Sequence, residues 1–368
     1  MNRDQGYLSK VESRLFRRVL SPKVKSSVKH WRLWIDFSVS GLGAALLGVV
    51  IWQAWLPIEI PLLTLLGVFL PFLVLPTVAM LLLSLGIRSK LGLFFCSAAL
   101  LGLLVLCGHY VFPHQSSLAA SEITPIVRAA TLNLRYEYYE PADLSTTILA
   151  QGADVIAVQE VAPSAMSDLV MMLKPQFPYV ISVSSLSDLA FFSRYPIIHS
   201  EWFRPAGDGR GALYAVIDIE GQFWHIFAVH PMPAGIAWLG KSLIPVGLYY
   251  GNLEAQIADV LERAHVLDEP VIVLGDFNMA EYSRAYRLIS HQLADSFREA
   301  GQGWGFTFPQ DVWIDGWQIP GPFVRLDYIF HSVDLQASHA EVVCRGASDH
   351  CLVTADLALR PGGKWVDG

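Results

Sequence analysis

The sequence predicts an α/β or α+β sandwich preceded by three membrane-spanning helices. Three observations predict it. The 368-residue chain is 53% hydrophobic with a mean hydropathy of +0.40, more apolar than an ordinary soluble protein, and the excess lies before residue 113. Beyond that point, β-branched apolar runs alternate with amphipathic stretches, which is the pattern of a domain mixing strands and helices. Many of those runs end in a carboxylate, amide or imidazole, groups that a sheet can gather on one rim.

Trp34–Trp55, Ile60–Leu85 and Leu91–Phe112 are each long enough to cross a hydrocarbon core of about 30 Å as a helix. Asp36 and Glu59 fall at the ends of runs, and Pro61, Pro71 and Pro76 predict a kinked second span. The first run is too long for a signal peptide and lacks a small-residue cleavage site. Orientation follows from the basic residues. Residues 1–33 carry nine Lys and Arg against Asp4 and Glu12. Arg88 and Lys90 lie between spans two and three, whereas the first loop has only Glu59. The N-terminus is therefore expected in the cytoplasm, and three crossings leave Pro113–Gly368 outside it. The expected organisation is a basic tail (1–33), a three-helix membrane region (34–112), a polar linker (113–124) and an exported domain (125–368).

In that domain strands are expected at 126–134, 154–160, 178–184, 188–192, 212–219, 223–230, 271–276, 324–330, 341–344 and 351–358. Helices are expected at 141–151, 163–173, 251–267 and 283–292, with Pro141 opening the first and Ser283 capping the last. Glu220-Gly221 between two alternating runs marks a hairpin. Residues 113–368 hold 15 Lys and Arg against 29 Asp and Glu, a charge of about −14. That balance disfavours a strong grip on long nucleic acid. Two loops look too apolar for water: Ala234–Tyr250 and Trp313–Phe323. They either pack on the domain or rest on a bilayer with their aromatic rings at headgroup depth. Cys344 and Cys351 bracket a Ser-Asp-His loop; two free thiols are the expectation, with a disulfide the alternative, because sequence does not give the Cα separation.

The chemistry sits at the run ends. These are Asn133 in ATLN, Glu160 in VIAVQE, His230 in IFAVH, Gly275, Asp276 and Asn278 in VIVLGDFN, Asp327 in RLDYIF, and Asp349 and His350 in SDH. An inventory of acids, amides and imidazoles without a paired Cys cluster suits a hard, oxygen-seeking cation and phosphoester cleavage. Any one of these residues alone reads equally well as structural. In this order and spacing, with SRYP at Ser193–Pro196, they resemble the endonuclease/exonuclease/phosphatase superfamily across residues 126–360. The three-span leader and the HPMP and GFTFP segments further resemble a bacterial membrane-anchored branch of it.

The resemblance implies a four-layer sandwich of two mainly antiparallel sheets between helices, and a magnesium-dependent phosphoester hydrolase, with manganese as the alternative ion. It implies Glu160 as the principal metal carboxylate, Asn133 as the supporting amide and Asp349 as a further metal-side or phosphate-side carboxylate. Asp276 and Asn278 match the pair that positions and deprotonates the attacking water. His350 matches the imidazole on the scissile phosphate, Asp327 the carboxylate that orients it, and His230 a second phosphate-contacting histidine. The partner of His230 stays open among Asp188, Asp208 and Tyr214. Arg194, Arg210 and Arg325 are candidate phosphate contacts, Arg194 reading equally as a salt-bridged structural residue. The expected substrate is a lipid headgroup or small phosphorylated compound. A surface nuclease and a catalytically silent binding module are the alternatives.

Overall fold

The computed structural model describes residues 22–56, 59–108, 126–136, 141–182, 188–207, 209–241, 244–314, 316–345 and 348–360. The chain divides into two compact units. The first contains helix α1 (Pro22–Trp55), a 3₁₀ turn at Leu70–Leu73, α3 (Val74–Ile87) and α4 (Lys90–Cys107). Three helices are long and apolar enough to cross a membrane: His30–Trp55, Leu70–Ile87 and Lys90–Cys107. Small residues let them approach closely: a Cβ on Gly102 would run into Val50, and one on Gly43 into Cys96. Arg88 closes α3 in a left-handed conformation, and the Ser89 side chain then caps α4 by accepting from Gly92 N–H at 2.9 Å.

The second span begins later than its apolar run suggests. Residues Pro61–Val68 form a separate helix, α2, which belongs to the second unit and packs on one of its strands. Hydropathy alone does not separate a span from an apolar helix packed on a domain. The third run is helical only to Cys107; residues 109–112 lie outside the described residues.

The second unit holds two six-stranded mixed sheets. The first has the order β15 (Leu335–Val343), β16 (Leu352–Leu359), β1 (Ile126–Asn133), β2 (Val155–Gln159), β4 (Ala190–Ser193), β3 (Tyr179–Ser182). The second has the order β11 (Ala294–Asp295), β14 (Asp327–His331), β10 (Val271–Asp276), β7 (Gln222–Val229), β6 (Ala212–Ile219), β5 (Ile197–Phe203). Both share one plan: a central parallel pair, β1/β2 or β7/β10, flanked by antiparallel strands.

Strand alternation builds the layers. Val127, Ala129, Val155 and Ala157 of one sheet face Ile226, Ala228, Ile272 and Leu274 of the other in a fully buried central core. The alternate residues of the first sheet, such as Ala130, Ile156 and Val158, pack outward on α5 (Pro141–Ala150) and α6 (Pro163–Leu173). Those of the second, such as Val271 and Val273, pack on α7 (Leu253–His265) and α8 (Arg284–Ser290). The result is the expected helix–sheet–sheet–helix sandwich. A short α9 (Ser296–Ala300) packs near β14 and β15. Two further hairpins, β8/β9 (Gly235–Trp238 and Pro245–Tyr249) and β12/β13 (Trp313–Ile314 and Trp317–Gln318), stand outside the sheets.

Candidate active site

Parallel neighbours end at the same rim, so each central pair delivers two strand ends together. In the first sheet these are Asn133 and the Gln159-Glu160 turn, and in the second His230 and Asp276. Alternation then selects which side chains turn inward. Asn133 shares the core-facing parity of Val127 and Ala129, Asp276 that of Ile272 and Leu274, His230 that of Ile226 and Ala228. Glu160 has the opposite parity, and its left-handed backbone (φ 54°) re-aims it.

Asp276 Oδ2 is the hub. It accepts from Asn133 Nδ2 at 2.9 Å across the two sheets, and the Nε2 atoms of both His230 and His350 lie 3.8 Å from it. Asn278 N–H donates to the other oxygen at 2.8 Å, while its side-chain amide donates to the Pro231 carbonyl at 3.0 Å. Asn278 therefore locks the turn that holds Asp276. Only glycine fits at 275, because a Cβ there would collide with the Val229 carbonyl of the parallel partner.

His350 is fixed from three sides. Its Nδ1 lies 2.8 Å from Asp327 Oδ2, its backbone N–H donates to Ser348 Oγ at 3.0 Å, and its ring packs on Phe308 with centroids 4.8 Å apart. Ser348 in turn donates to the Asn133 carbonyl. Thr307 Oγ1 accepts from the N–H groups of Leu326 and Asp327 at 3.0 and 3.3 Å, seating the carboxylate. Burial alone would push His350 down, but the charges of Asp327 and Asp276 outweigh it and push the imidazole up to about 10. The ring is therefore an imidazolium at neutral pH. Cys344 and Cys351 are joined in a disulfide, their Cα atoms 4.4 Å apart, which corrects the expectation of two free thiols and ties down the strand following His350.

Asp188 is the partner of His230. Its Oδ2 lies 2.9 Å from Nδ1 and also accepts from Tyr136 Oη at 2.6 Å. Burial raises the Asp188 carboxyl, yet these hydrogen bonds and the nearby Arg210 charge prevail and hold it at about 2. A carboxylate on Nδ1 keeps the proton there and leaves Nε2 directed at the site. Tyr214 instead bonds to His225 at 2.6 Å, and Asp208 lies outside the described residues. Arg210 joins the group: its Nη1 contacts Glu160 Oε1 at 3.0 Å, Asp188 at 3.6 Å and the His230 ring. Glu160 and Asp276 both reach His230 Nε2, at 3.5 and 3.8 Å.

Asp276, Asp327 and His350 offer ligand atoms within 4.8 Å of one another, a grouping that can hold a metal ion. A protonated His350 bonded to Asp327 is a hydrogen-bond donor rather than a ligand. The expected oxygen donors Glu160, Asn133 and Asp349 are of the type a hard cation takes, but they are not part of that grouping. Burial pushes the Asp349 carboxyl up against the pull of His350 and Arg135, and the Glu160 charge adds to the rise. Asp327 Oδ1 finds no hydrogen-bond partner among the described residues. Crowded, partly desolvated carboxylates of this kind are what a divalent ion relieves.

Two arginines lie elsewhere. Arg194 pairs with Asp154 at 2.9 Å, at the start of β2, whereas Glu160 follows its end; it therefore belongs to the opposite rim and is no phosphate contact. Arg325 is buried, bound by Asp295 and Glu281 and stacked 4.5 Å from the Tyr328 ring centroid, so its guanidinium is a structural cation. Tyr136, Thr307 and Ser348 are site residues that the motif reading did not single out. The GFTFP segment and the serine of SDH were the available signals.

The family model described as Endonuclease/Exonuclease/phosphatase matches residues 130–350. No curated protein matches in sequence. Among solved structures, the endonuclease/exonuclease/phosphatase from Bacteroides vulgatus aligns with a TM-score of 0.51 at 20% identity, over 64% of this chain and 100% of its own. A functionally unknown conserved protein from Enterococcus faecalis V583 aligns at 0.50 and 18% identity, over 64% and 100%. An endonuclease/exonuclease/phosphatase family protein from Bacteroides thetaiotaomicron aligns at 0.50 and 18%, over 64% and 98%. Fold, motif order and the convergence on Asp276 agree: this chain belongs to the endonuclease/exonuclease/phosphatase family.

Proposed function

We propose that the protein is a membrane-anchored, extracytoplasmic phosphodiesterase that cleaves a lipid headgroup or small phosphorylated compound by in-line attack of water. The observation that carries this reading is the meeting of Asn133, His230 and His350 on Asp276 Oδ2, drawn from strand ends and a loop far apart in sequence. Asp276, its second oxygen held by Asn278 N–H, takes the proton of the attacking water. His350, charged and held by Asp327, donates to a phosphoryl oxygen as negative charge builds there. His230 presents Nε2 to the same space, and Arg210 adds a fixed positive charge beside it. A divalent cation such as magnesium, held by Glu160 with Asn133 and Asp349, neutralises phosphate charge when bound. No covalent enzyme intermediate is required.

The basic N-terminus supports an extracytoplasmic domain, and its acidity favours a small substrate over long nucleic acid. The test is an activity panel on the purified full-length chain with magnesium: bis-nitrophenyl phosphate, phospholipids and plasmid DNA. Cleavage of the diester and of at least one phospholipid is expected, lost with a chelator. Robust plasmid nicking without either would replace this reading by a surface nuclease, and no cleavage with no magnesium binding would leave a silent binding module.

A further inference from the structure

The β8/β9 hairpin has two unlike faces. Gly247 on one face is buried against Pro61, the first residue of α2, and a Cβ at 247 would lie 2.6 Å from the Pro61 side chain. Glu59, just before α2, sits beside Tyr250, Glu254 and Arg284 at the base of the hairpin. On the other face and at the tip, Ile236, Trp238, Leu239 and Ile244 are all more than two-fifths exposed. Beyond Tyr249, the chain returns through Tyr250, whose hydroxyl accepts from Ala280 N–H at 3.2 Å, and the hairpin leaves from Pro231, whose carbonyl holds Asn278. It is thus rooted in the turn that carries Asp276. The β12/β13 hairpin is rooted on the same rim: Gln310 N–H donates to the Asp349 carbonyl at 2.7 Å. That second hairpin exposes Trp313 and Trp317 by 60% and 80%.

Chain connectivity bears on what covers these side chains. The helix α2 lies between two membrane-long helices, six residues after Trp55 and two before Leu70. At no more than about 3.6 Å per residue, Pro61 is within about 22 Å of the end of the first helix and Val68 within about 7 Å of the second. The helix α2 is thus joined by short connections to both membrane-long helices, and β9 is packed against it. We infer that the rim of the site faces the bilayer, with Trp238, Leu239, Ile244, Trp313 and Trp317 resting at headgroup depth. Indole rings favour that depth, apolar on one side and hydrogen-bonding on the other. Among the described residues of the two hairpins Lys241 is the one exposed charge, which anionic headgroups attract, and Asp311 lies just before the second hairpin, where it accepts from Trp313 Nε1 at 2.9 Å.

The inference does not depend on hydrolysis, so its test is independent of activity. The full-length chain is reconstituted in nanodiscs of phosphatidylethanolamine and phosphatidylglycerol, with a photoreactive amino acid placed singly at Trp238, Ile244 or Trp317. Val266 and Val333, exposed by 74% and 39% and beyond the opposite ends of α7 and β14, serve as controls. Phospholipid adducts at the three hairpin positions, at least tenfold above both controls, are expected, and equally so on an Asp276→Asn background. Adducts absent from the hairpins, equal at the controls, or formed with protein in place of lipid would overturn it.

Discussion

Asp276 carries more of the site than any other side chain, since an amide and two imidazoles converge on one of its oxygens. The proton chemistry is nevertheless set by its neighbours. Replacing Asp327 with Asn removes the charge that keeps His350 protonated, so kcat should fall about 10²–10³-fold. The alkaline limb of the pH–rate profile should move to lower pH. The sign follows from the raised imidazole: its folded value near 10 exceeds the free value of 6.5. Stability from the His350–Asp327 pair is therefore fully present below about 6.5 and lost as pH climbs through about 10. An unshifted alkaline limb in Asp327→Asn would contradict this account. Asp188 behaves oppositely. Held at about 2 against 3.8, it stabilises the fold above about 4, and that contribution disappears as pH drops through about 2. Asp188→Asn should cost about 10–10² in kcat by releasing the His230 tautomer, and Tyr136→Phe less. Equal losses in the two variants would show that tautomer control is not what Asp188 supplies. The identity of Asp188 could not be read from sequence, because three candidates lay in the interval and only the fold decides which one reaches Nδ1.

Strands and their turns explain what was legible and what was not. Apolar runs ending in polar residues were visible, and so were nine of the twelve sheet strands over most of their length, because period-two burial writes itself into composition. The strand β15 was anticipated only at its end. The strand β5 was missed because it is an exposed edge with a register shift near His199, so it lacks a buried alternation. The β8/β9 and β12/β13 hairpins look like loops in sequence, their apolar residues having no sheet to alternate against. Arg194 and Arg325 stood in motif context, yet strand direction puts one on the far rim and packing buries the other. The hub depends on close strand approach at Gly275. Gly275→Ala should cost about 1–3 kcal/mol and lower activity with it, measured by thermal unfolding; an unchanged Tm would show that β7 and β10 tolerate separation there. The disulfide spans a separation of seven residues, and chain-entropy arguments assign such a loop roughly 2–3 kcal/mol. Reduction should therefore lower the Tm and slow turnover, since the tied segment includes His350.

For the whole molecule, two sheets of like plan face one another, and their parallel centres open onto one rim. That arrangement lets residues from Asn133 to His350 meet without any local motif containing them all. The membrane-long helices and the acidic second unit support the proposal of a small-substrate hydrolase held at a surface over that of a processive nuclease. Raising ionic strength should accordingly change hydrolysis of a small diester by less than about twofold, whereas phosphate-tracking enzymes lose affinity steeply with salt. A steep loss would point to an extended anionic substrate. Hydropathy announced the helices but not that Pro61–Val68 packs with the second unit, since an apolar helix looks the same in lipid and against protein.

The most direct measurement is hydrolysis of bis-nitrophenyl phosphate by the purified full-length chain with magnesium, beside Asp276→Asn matched for folding by circular dichroism. A loss of about 10³-fold or more in the variant, with an unchanged spectrum, is the predicted result. Equal rates in the two proteins would contradict the claim that the group around Asp276 performs the chemistry.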